Sequence, residues 1–319
     1  MRVGLLVGRE KSFPENFIKH VNSTRKDIQA EMLTVGAFKA DELCQYDVII
    51  DRISHEIPFY RTFLKTATLS GTVIINNPFW WSADDKYFGT ALLERLGIPI
   101  PKTVILPQKA YGPETSSESL RNLAFPLDWA EVINYTGLPA IMKPYDGGGW
   151  KNVFKIHSME ELLFYYDHSG TVCMMLQECI EFDRYVRCYT IGRKEVRIMP
   201  YDPSKPYLHH QYFTDNNYLG AELTKQIVNH CKTLNEALGY DINTAEFAIR
   251  DGIPYAIDFT NPAPDADIES VGEANHRWFI EEVTNLVVEY AKQKKAGAKP
   301  ASADMRWTRF LNPQLATAR

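Results

Sequence analysis

From position 2 to position 76 the chain alternates short apolar runs with amphipathic ones, and that alternation leaves few folds open. Residues 2–7, 30–35, 46–51 and 72–76 are short, apolar and rich in branched side chains, so they are expected as strands. Residues 13–21 put Phe13, Phe17, Ile18 and Val21 on one helical face, and residues 58–67 make a second helix. Strands separated by helices pair in parallel, with the crossovers covering the sheet. Ligands of such sheets bind beyond the strand C-termini. Here those ends carry Gly8-Arg9-Glu10, then Asp51-Arg52-Ile53-Ser54-His55-Glu56, then Asn76-Asn77-Pro78. Arg52 is suited to a carboxylate or phosphate of a substrate. The first of these ends is not a G-x-G-x-x-G fingerprint, which argues against a nicotinamide or flavin site, and no G-x-x-x-x-G-K-[ST] loop is present.

The stretch 243–265, NTAEFAIRDGIPYAIDFTNPAPD, reads as a β-hairpin. Phe247 and Ile249 lead into a tight Arg250-Asp251-Gly252 turn, and Tyr255-Ala256-Ile257 return. Each strand carries a carboxylate, Glu246 and Asp258, and Asn261 follows. Carboxylates and a carboxamide make a hard-oxygen site of the kind Mg²⁺ uses, with water and phosphate completing its shell. The alternative is that both acids are solvent-facing strand residues.

Between these segments, Ser82 is expected to cap a helix that carries Lys86 in its first turn, with Phe88, Leu92, Leu93 and Leu96 at helical spacing and Gly97 at its end. Residues 102–106 are a strand, and residues 107–128 a loop with at most one short helix. Residues 132–135 and Gly137-Leu138-Pro139 lead into a buried strand, 140–144, that ends at Lys143-Pro144. Asp146-Gly147-Gly148-Gly149-Trp150 follows; successive glycines let backbone amides approach phosphate oxygens, or make a plain flexible turn. A strand at 153–156, a helix at 159–166 and strands at 174–180, 185–191 and 195–200 come next. Alternation puts Arg187 on one face with Tyr185 and Tyr189, opposite Val186, Cys188 and Thr190. His209 and His210 are adjacent, so in extended chain they point apart and make a poor metal pair. Residues 221–238 are a strongly amphipathic helix stopped by Gly239, and 273–293 a last helix.

A net charge of −5, from 35 basic and 40 acidic residues, argues against a nucleic-acid binder. Five scattered cysteines without redox or metal spacing suit reduced thiols and a cytoplasmic protein. No run reaches the ~20 apolar residues of a membrane span, so no membrane partner is expected. The 319 residues, 45% hydrophobic, suffice for two or three compact subdomains.

The order of these features is more specific than any one of them. A parallel domain precedes DDKYFGTALLERLGIPIPKTV, then LPAIMKPYDGGGWKNV, then MLQECIEF, then the acidic hairpin ending in Asn-Pro. The chain from Val3 to Tyr290 resembles the ATP-grasp superfamily, in particular glutathione synthetase, ribosomal-protein glutamate ligase and D-alanine–D-alanine ligase. The resemblance implies an α/β and α+β fold: a parallel pre-domain at 1–80, a central lid at 81–180, a C-terminal α+β domain at 181–293 and a tail at 294–319, with ATP between the lid and the C-terminal domain. It implies that Lys86 and Lys143 contact nucleotide phosphates and that Asp146, Gly147, Gly148 and Gly149 cover them. Gln177, Glu178 and Ile180 match the hinge that meets adenine, and Asp183 the acid for the ribose. Glu246, Asp258 and Asn261 match the Mg²⁺ ligands, and Arg187 and Arg197 the arginines that steady the transferred phosphoryl or acyl-phosphate. The usual final motif is Glu-x-Asn; here it is Asp258-Phe-Thr-Asn261, so either Thr260 takes the metal position or a bulge presents Asn261.

The implied function is an ATP-dependent carboxylate–amine ligase acting on a small-molecule or peptide-like substrate. A small-molecule kinase of the inositol-phosphate type and a non-catalytic ATP-binding protein stay open. Asp265 and Asp267, in the acidic loop after the hairpin, are expected to receive the ammonium of an amino-acid-like acceptor, with a helix-capping run as the alternative. Relatives are often dimers or tetramers, which leaves a homo-oligomer open.

Overall fold

The computed structural model describes residues 1–79, 85–146, 148, 151–206, 211–215 and 217–297. In chain order the elements are β1 (Arg2–Leu6), α1 (Ser12–Thr24), β2 (Gln29–Met32), β3 (Val48–Asp51), α2 (Pro58–Ala67), β4 (Val73–Ile75), α3 (Lys86–Arg95), β5 (Thr103–Leu106), α4 (Trp129–Thr136), β6 (Ala140–Pro144), β7 (Phe154–Ile156), α5 (Met159–His168), β8 (Met174–Glu178), β9 (Arg184–Ile191), β10 (Glu195–Pro200), α6 (Ala221–Leu238), β11 (Ile242–Arg250), β12 (Ile253–Asp258), α7 (Ile268–Val271) and α8 (Glu273–Lys295). Two compact units emerge. One comprises Met1–Trp81, Tyr185–Glu246 and Phe259–Arg319; the other comprises Ser82–Arg184 and Phe247–Asp258.

The first unit contains the expected parallel sheet, in the order β2-β1-β3-β4. Its two faces are both covered, which is why β4 and the Val48-Ile49-Ile50 run of β3 are continuously apolar rather than alternating. Val3, Leu5, Val48, Ile50 and Ile75 pack with Phe13, Phe17 and Val21 of α1 and with Phe279, Val283 and Val287 of α8. Leu6, Ile49 and Ile74 pack on Phe63, Leu64 and Ala67 of α2. The helix α6 has the expected bounds, and Gly239 closes it at φ 78°, a conformation that strains other residues.

Buried polar groups stitch this unit together. The Asn76 amide donates to the carbonyls of Ile242 (2.8 Å) and Pro262 (3.2 Å), and its oxygen accepts from the N–H groups of Asp241 (2.6 Å) and Ile242 (2.7 Å). Every hydrogen-bonding position of that side chain is used. Asp241, fully buried, accepts from the Tyr290 hydroxyl at 2.7 Å and lies 3.3 Å from Arg193. Burial pushes its carboxyl up to about 6, against the pull of Arg193. A native pKa above the unfolded one means stability that is complete at acid pH and lost as pH rises through the native value. Asp241→Asn removes that titration. Its stability relative to the parent is expected to rise by about 2 kcal/mol between pH 4 and pH 7, read by urea denaturation at each pH. A pH-independent difference between the two proteins would rule this out.

The second unit holds an antiparallel sheet, β5-β8-β6-β7, with Met142↔Leu176 and Met142↔Phe154 in register. Leu106, Ala140, Met142, Ile156 and Leu176 form its core with Leu162 and Tyr166 of α5. The segment before β6 is a helix, α4, capped by Asp128 through the Glu131 N–H and ended by Gly137 at φ 75°. The described cap of α3 is Asp85, which accepts from the Phe88 N–H; Ser82 lies outside the described residues. A further sheet runs β10-β9-β11-β12, with β11 passing from one unit to the other after Glu246. The β11–β12 hairpin is closed by Asp251 (φ 54°) and Gly252 (φ 75°), the two left-handed residues that a tight hairpin turn requires. Among the described residues no helix is long and apolar enough to cross a membrane.

Candidate active site

In the second unit two lysines converge on the end of β12. Lys86, the first residue of α3, places Nζ 2.8 Å from Asp258 Oδ2. Its backbone is fixed by an N–H bond to the Tyr145 carbonyl at 2.7 Å. Lys143, near the end of β6, donates to Gln177 Oε1 at 2.9 Å and more distantly to the Ile257 carbonyl at 3.4 Å. Gln177 is buried, and its amide is oriented by donation from Nε2 to Thr103 Oγ1 at 3.0 Å; Thr103 in turn donates to the Pro101 carbonyl. A relay from β5 through β8 therefore aims the Lys143 ammonium.

The hinge that follows β8 is tied down as well. The Glu178 N–H bonds the Lys102 carbonyl at 2.8 Å, so an adenine contact from this N–H would compete with the sheet ladder. The Glu178 carboxylate accepts from Arg250 Nη1 at 2.9 Å. Ile180 is buried, and Asp183 is exposed and pairs with Arg184 at 3.2 Å. Asp146 is half-buried, and a Cβ added at Gly148 would meet nothing within 4 Å. Gly147, Gly149, Trp150, His209 and His210 lie outside the described residues, as does most of the tail.

In the first unit Glu246 is held from two sides. The Tyr185 hydroxyl donates to Oε2 at 2.5 Å, and Arg187 Nε lies 2.9 Å from Oε1, a charge contact rather than an aligned hydrogen bond. Arg187 also donates to the Tyr212 hydroxyl at 2.9 Å and stacks over the Tyr201 ring at 5.0 Å. Burial is the largest influence and opposes its charge, but Glu246 together with Tyr212, Tyr201 and Tyr185 outweighs it and holds the guanidinium well above its ordinary pKa. The predicted face of Tyr185 and Arg187 is thus the one that meets Glu246. Tyr201 and Tyr212 were not legible as partners, because they meet Arg187 only when the chain after β10 folds back on itself, with Tyr201 bridged to Tyr212.

Arg197 donates from Nε to Asn275 Oδ1 at 2.6 Å and lies 5.8 Å from the Trp278 ring centre; burial lowers its pKa. Asn275 is itself oriented by donation to the Val271 carbonyl at 2.8 Å. Asn243, fully buried, sets the segment that carries Asn261: its amide donates to the Phe259 carbonyl at 2.8 Å and accepts the Asn261 N–H at 2.9 Å. A polar residue at the buried start of an apolar strand was the available signal for Asn243. The Thr260 hydroxyl is buried and has no hydrogen-bond partner among the described residues, whereas the Asn261 side chain is half-exposed.

Three residues expected to face substrate have other work or other neighbours. Arg52 is buried, with Nε bonded to Glu10 at 3.0 Å, Nη2 bonded to Glu10 and to the Pro264 carbonyl, and its guanidinium 4.9 Å from the Phe13 ring centre. Asp267 accepts the N–H groups of Lys11, Ser12 and Phe13 at 2.9 Å each, so it caps α1 from the far end of the sequence. Burial works against the Asp267 charge, yet these N–H groups outweigh it and hold the carboxyl below its usual range. Asp267 thus caps a helix distant in sequence, and Arg52 forms an interior ion pair with Glu10. Asp265 accepts the Asp267 N–H at 3.1 Å, and its carbonyl accepts from the Tyr189 hydroxyl.

No family model matches the chain. A probable alpha-L-glutamate ligase of Vibrio vulnificus is 27% identical over 168 residues, which cover 51% of this chain and 50% of that protein. A protein of the same description from Vibrio parahaemolyticus matches to the same extent. The chain spans about half the length of the curated relatives it matches. Among solved structures, D-alanine–D-alanine ligase from Bacillus anthracis complexed with ATP aligns at a TM-score of 0.64 and 16% identity, covering 93% of this chain and 99% of that one. An ATP-grasp RimK domain protein from Sphaerobacter thermophilus aligns at 0.64 and 15%, covering 91% and 99%. At identities this low the likeness is one of architecture. The chain has the ATP-grasp fold.

Proposed function

We propose that this protein is an ATP-dependent ligase that joins a carboxylate to an amine through an acyl-phosphate, on an amino-acid or peptide-like substrate. The observation that carries the reading is the pair of lysine ammonium groups, Lys86 and Lys143, preset at the end of β12 beside Asp258. Phosphoryl transfer needs positioning and charge neutralisation more than acid–base machinery, and paired cations next to a carboxylate supply both. Likeness to proteins named as ligases supports the same reading.

In this reading Lys86, Lys143, Asp146 and Gly148 serve the phosphates, and Gln177, Glu178, Ile180 and Asp183 serve the nucleoside. Glu246, Asp258 and Asn261 would hold Mg²⁺. Two carboxylates and a carboxamide fit that ion, which takes few protein oxygens and completes its shell with water and phosphate. The bound ion would supply neutralisation of charge on the transferring phosphoryl. Arg187, committed to Glu246 and Tyr212, fixes the carboxylate it touches. Arg197 suits the oxyanion: among the described residues its hydrogen bond runs only through Nε, which leaves the terminal fork for a ligand.

The test is ADP release from Mg·ATP against pooled amino acids, short peptides and inositol phosphates, with mass spectrometry of the products. A condensed product is expected, its formation falling by about tenfold or more in Asp258→Ala. A phosphorylated acceptor would make the protein a kinase instead, and bound ATP without turnover in any pool would make it a non-catalytic binder.

A further inference from the structure

Lys86 occupies an unfavourable place for its charge. It is the first residue of α3, where the unpaired N–H groups of a helix favour anions and disfavour cations. A helix this short would ordinarily carry Asp, Glu or a neutral residue there. Asp258, 2.8 Å from the ammonium, offsets that misplacement. The lysine is largely buried, and its backbone is anchored on the Tyr145 carbonyl. Asp258 is 38% exposed, so a cation from solvent has access to it. The carboxylate is therefore open to solvent while the Lys86 ammonium already sits on it.

We infer that Lys86 is an internal counter-ion that holds Asp258 against divalent metal in the nucleotide-free protein and releases it when polyphosphate draws the ammonium away. The inference rests on the reading of Asp258 as a metal ligand. A divalent ion and an ammonium cannot share one carboxylate at contact distance without strong like-charge repulsion. A phosphate chain resolves the conflict, because it offers the lysine a denser anion and brings the metal with it. The device makes metal and nucleotide enter as one unit and keeps the empty protein from trapping free divalent ions.

The experiment uses Mn²⁺ as the probe, with the full chain, followed by electron paramagnetic resonance and calorimetry. In the absence of nucleotide the parent protein is expected to bind Mn²⁺ weakly, and Lys86→Met to bind it at least tenfold more tightly. The double variant Lys86→Met/Asp258→Asn should lose that gain, which separates an uncovered Asp258 from any general change in charge. Lys86→Gln, which keeps a polar tip, guards against a packing effect and should behave as Lys86→Met does. Equal Mn²⁺ affinity in the parent and both Lys86 variants would overturn the inference. If under that outcome the parent still binds Mn²⁺ with a non-hydrolysable ATP analogue and Asp258→Asn does not, the proposed function stands and only the counter-ion role falls. If neither the parent nor the variants bind the Mn²⁺–nucleotide pair, the reading of the site falls and the inference falls with it.

Discussion

Arg52→Leu is expected to cost about 3–5 kcal/mol of stability, because it strands a partly buried carboxylate whose partner was removed. Glu10 would lose its bidentate contact, and the Pro264 carbonyl would lose a charged donor. The guanidinium also lies near two aromatic rings, Phe13 and Phe279, so its loss removes packing from the centre of the α1–α8 interface. Leucine fills part of that volume but satisfies neither oxygen. The double variant Arg52→Leu/Glu10→Gln should recover a substantial part of the loss, since removing both charges is far less costly than removing one. Chemical denaturation of the three proteins gives the comparison. The opposite outcome is a variant within about 1 kcal/mol of the parent. If its acceptor KM also rose, Arg52 would return to the substrate-binding role that its place at a strand C-terminus first suggested.

That contrast explains which parts of this protein could be read from its sequence. Features set by neighbours in the chain were legible. The buried runs of β1, β3 and β4 declared a parallel sheet, the Asp251-Gly252 pair declared the hairpin, and Gly239 marked the end of α6. The helix α4 was less so, because Val132, Ile133 and Tyr135 favour extended chain and only the cap at Asp128 and the stop at Gly137 announce it. In the candidate site, the places of Lys86 at a helix start and Lys143 near a strand end are local signals. The pairings are not: Gln177 meets Lys143 across 34 positions and Asp258 meets Lys86 across 172, and the sequence singles out both for other roles. Asp267 caps a helix 256 positions away, and no spacing rule reaches that far. An acidic loop next to a metal-like hairpin suggests substrate contact; only the fold reveals that one of its acids is spent on a helix terminus.

Lys143→Met is expected to weaken ATP binding by about 10- to 100-fold, the loss of one charge-assisted hydrogen bond worth roughly 1.5–3 kcal/mol. The substitution keeps the length and the apolar stem of the side chain, so the sheet around it stays filled. What disappears is the ammonium that Gln177 and the Ile257 carbonyl hold in place. Calorimetry with ATP and Mg²⁺ measures the change directly and needs no knowledge of the carboxylate or the amine. Gln177→Leu supplies the second half of the experiment. It leaves the ammonium but removes its Oε1 anchor and the link to Thr103, so it should weaken ATP less than Lys143→Met does. The order of the two effects carries the argument. A lysine that merely satisfies Gln177 would make both variants equal in ATP affinity to the parent. A lysine aimed at phosphate makes its own loss the larger, because the ligand feels the charge first and the relay that orients it second.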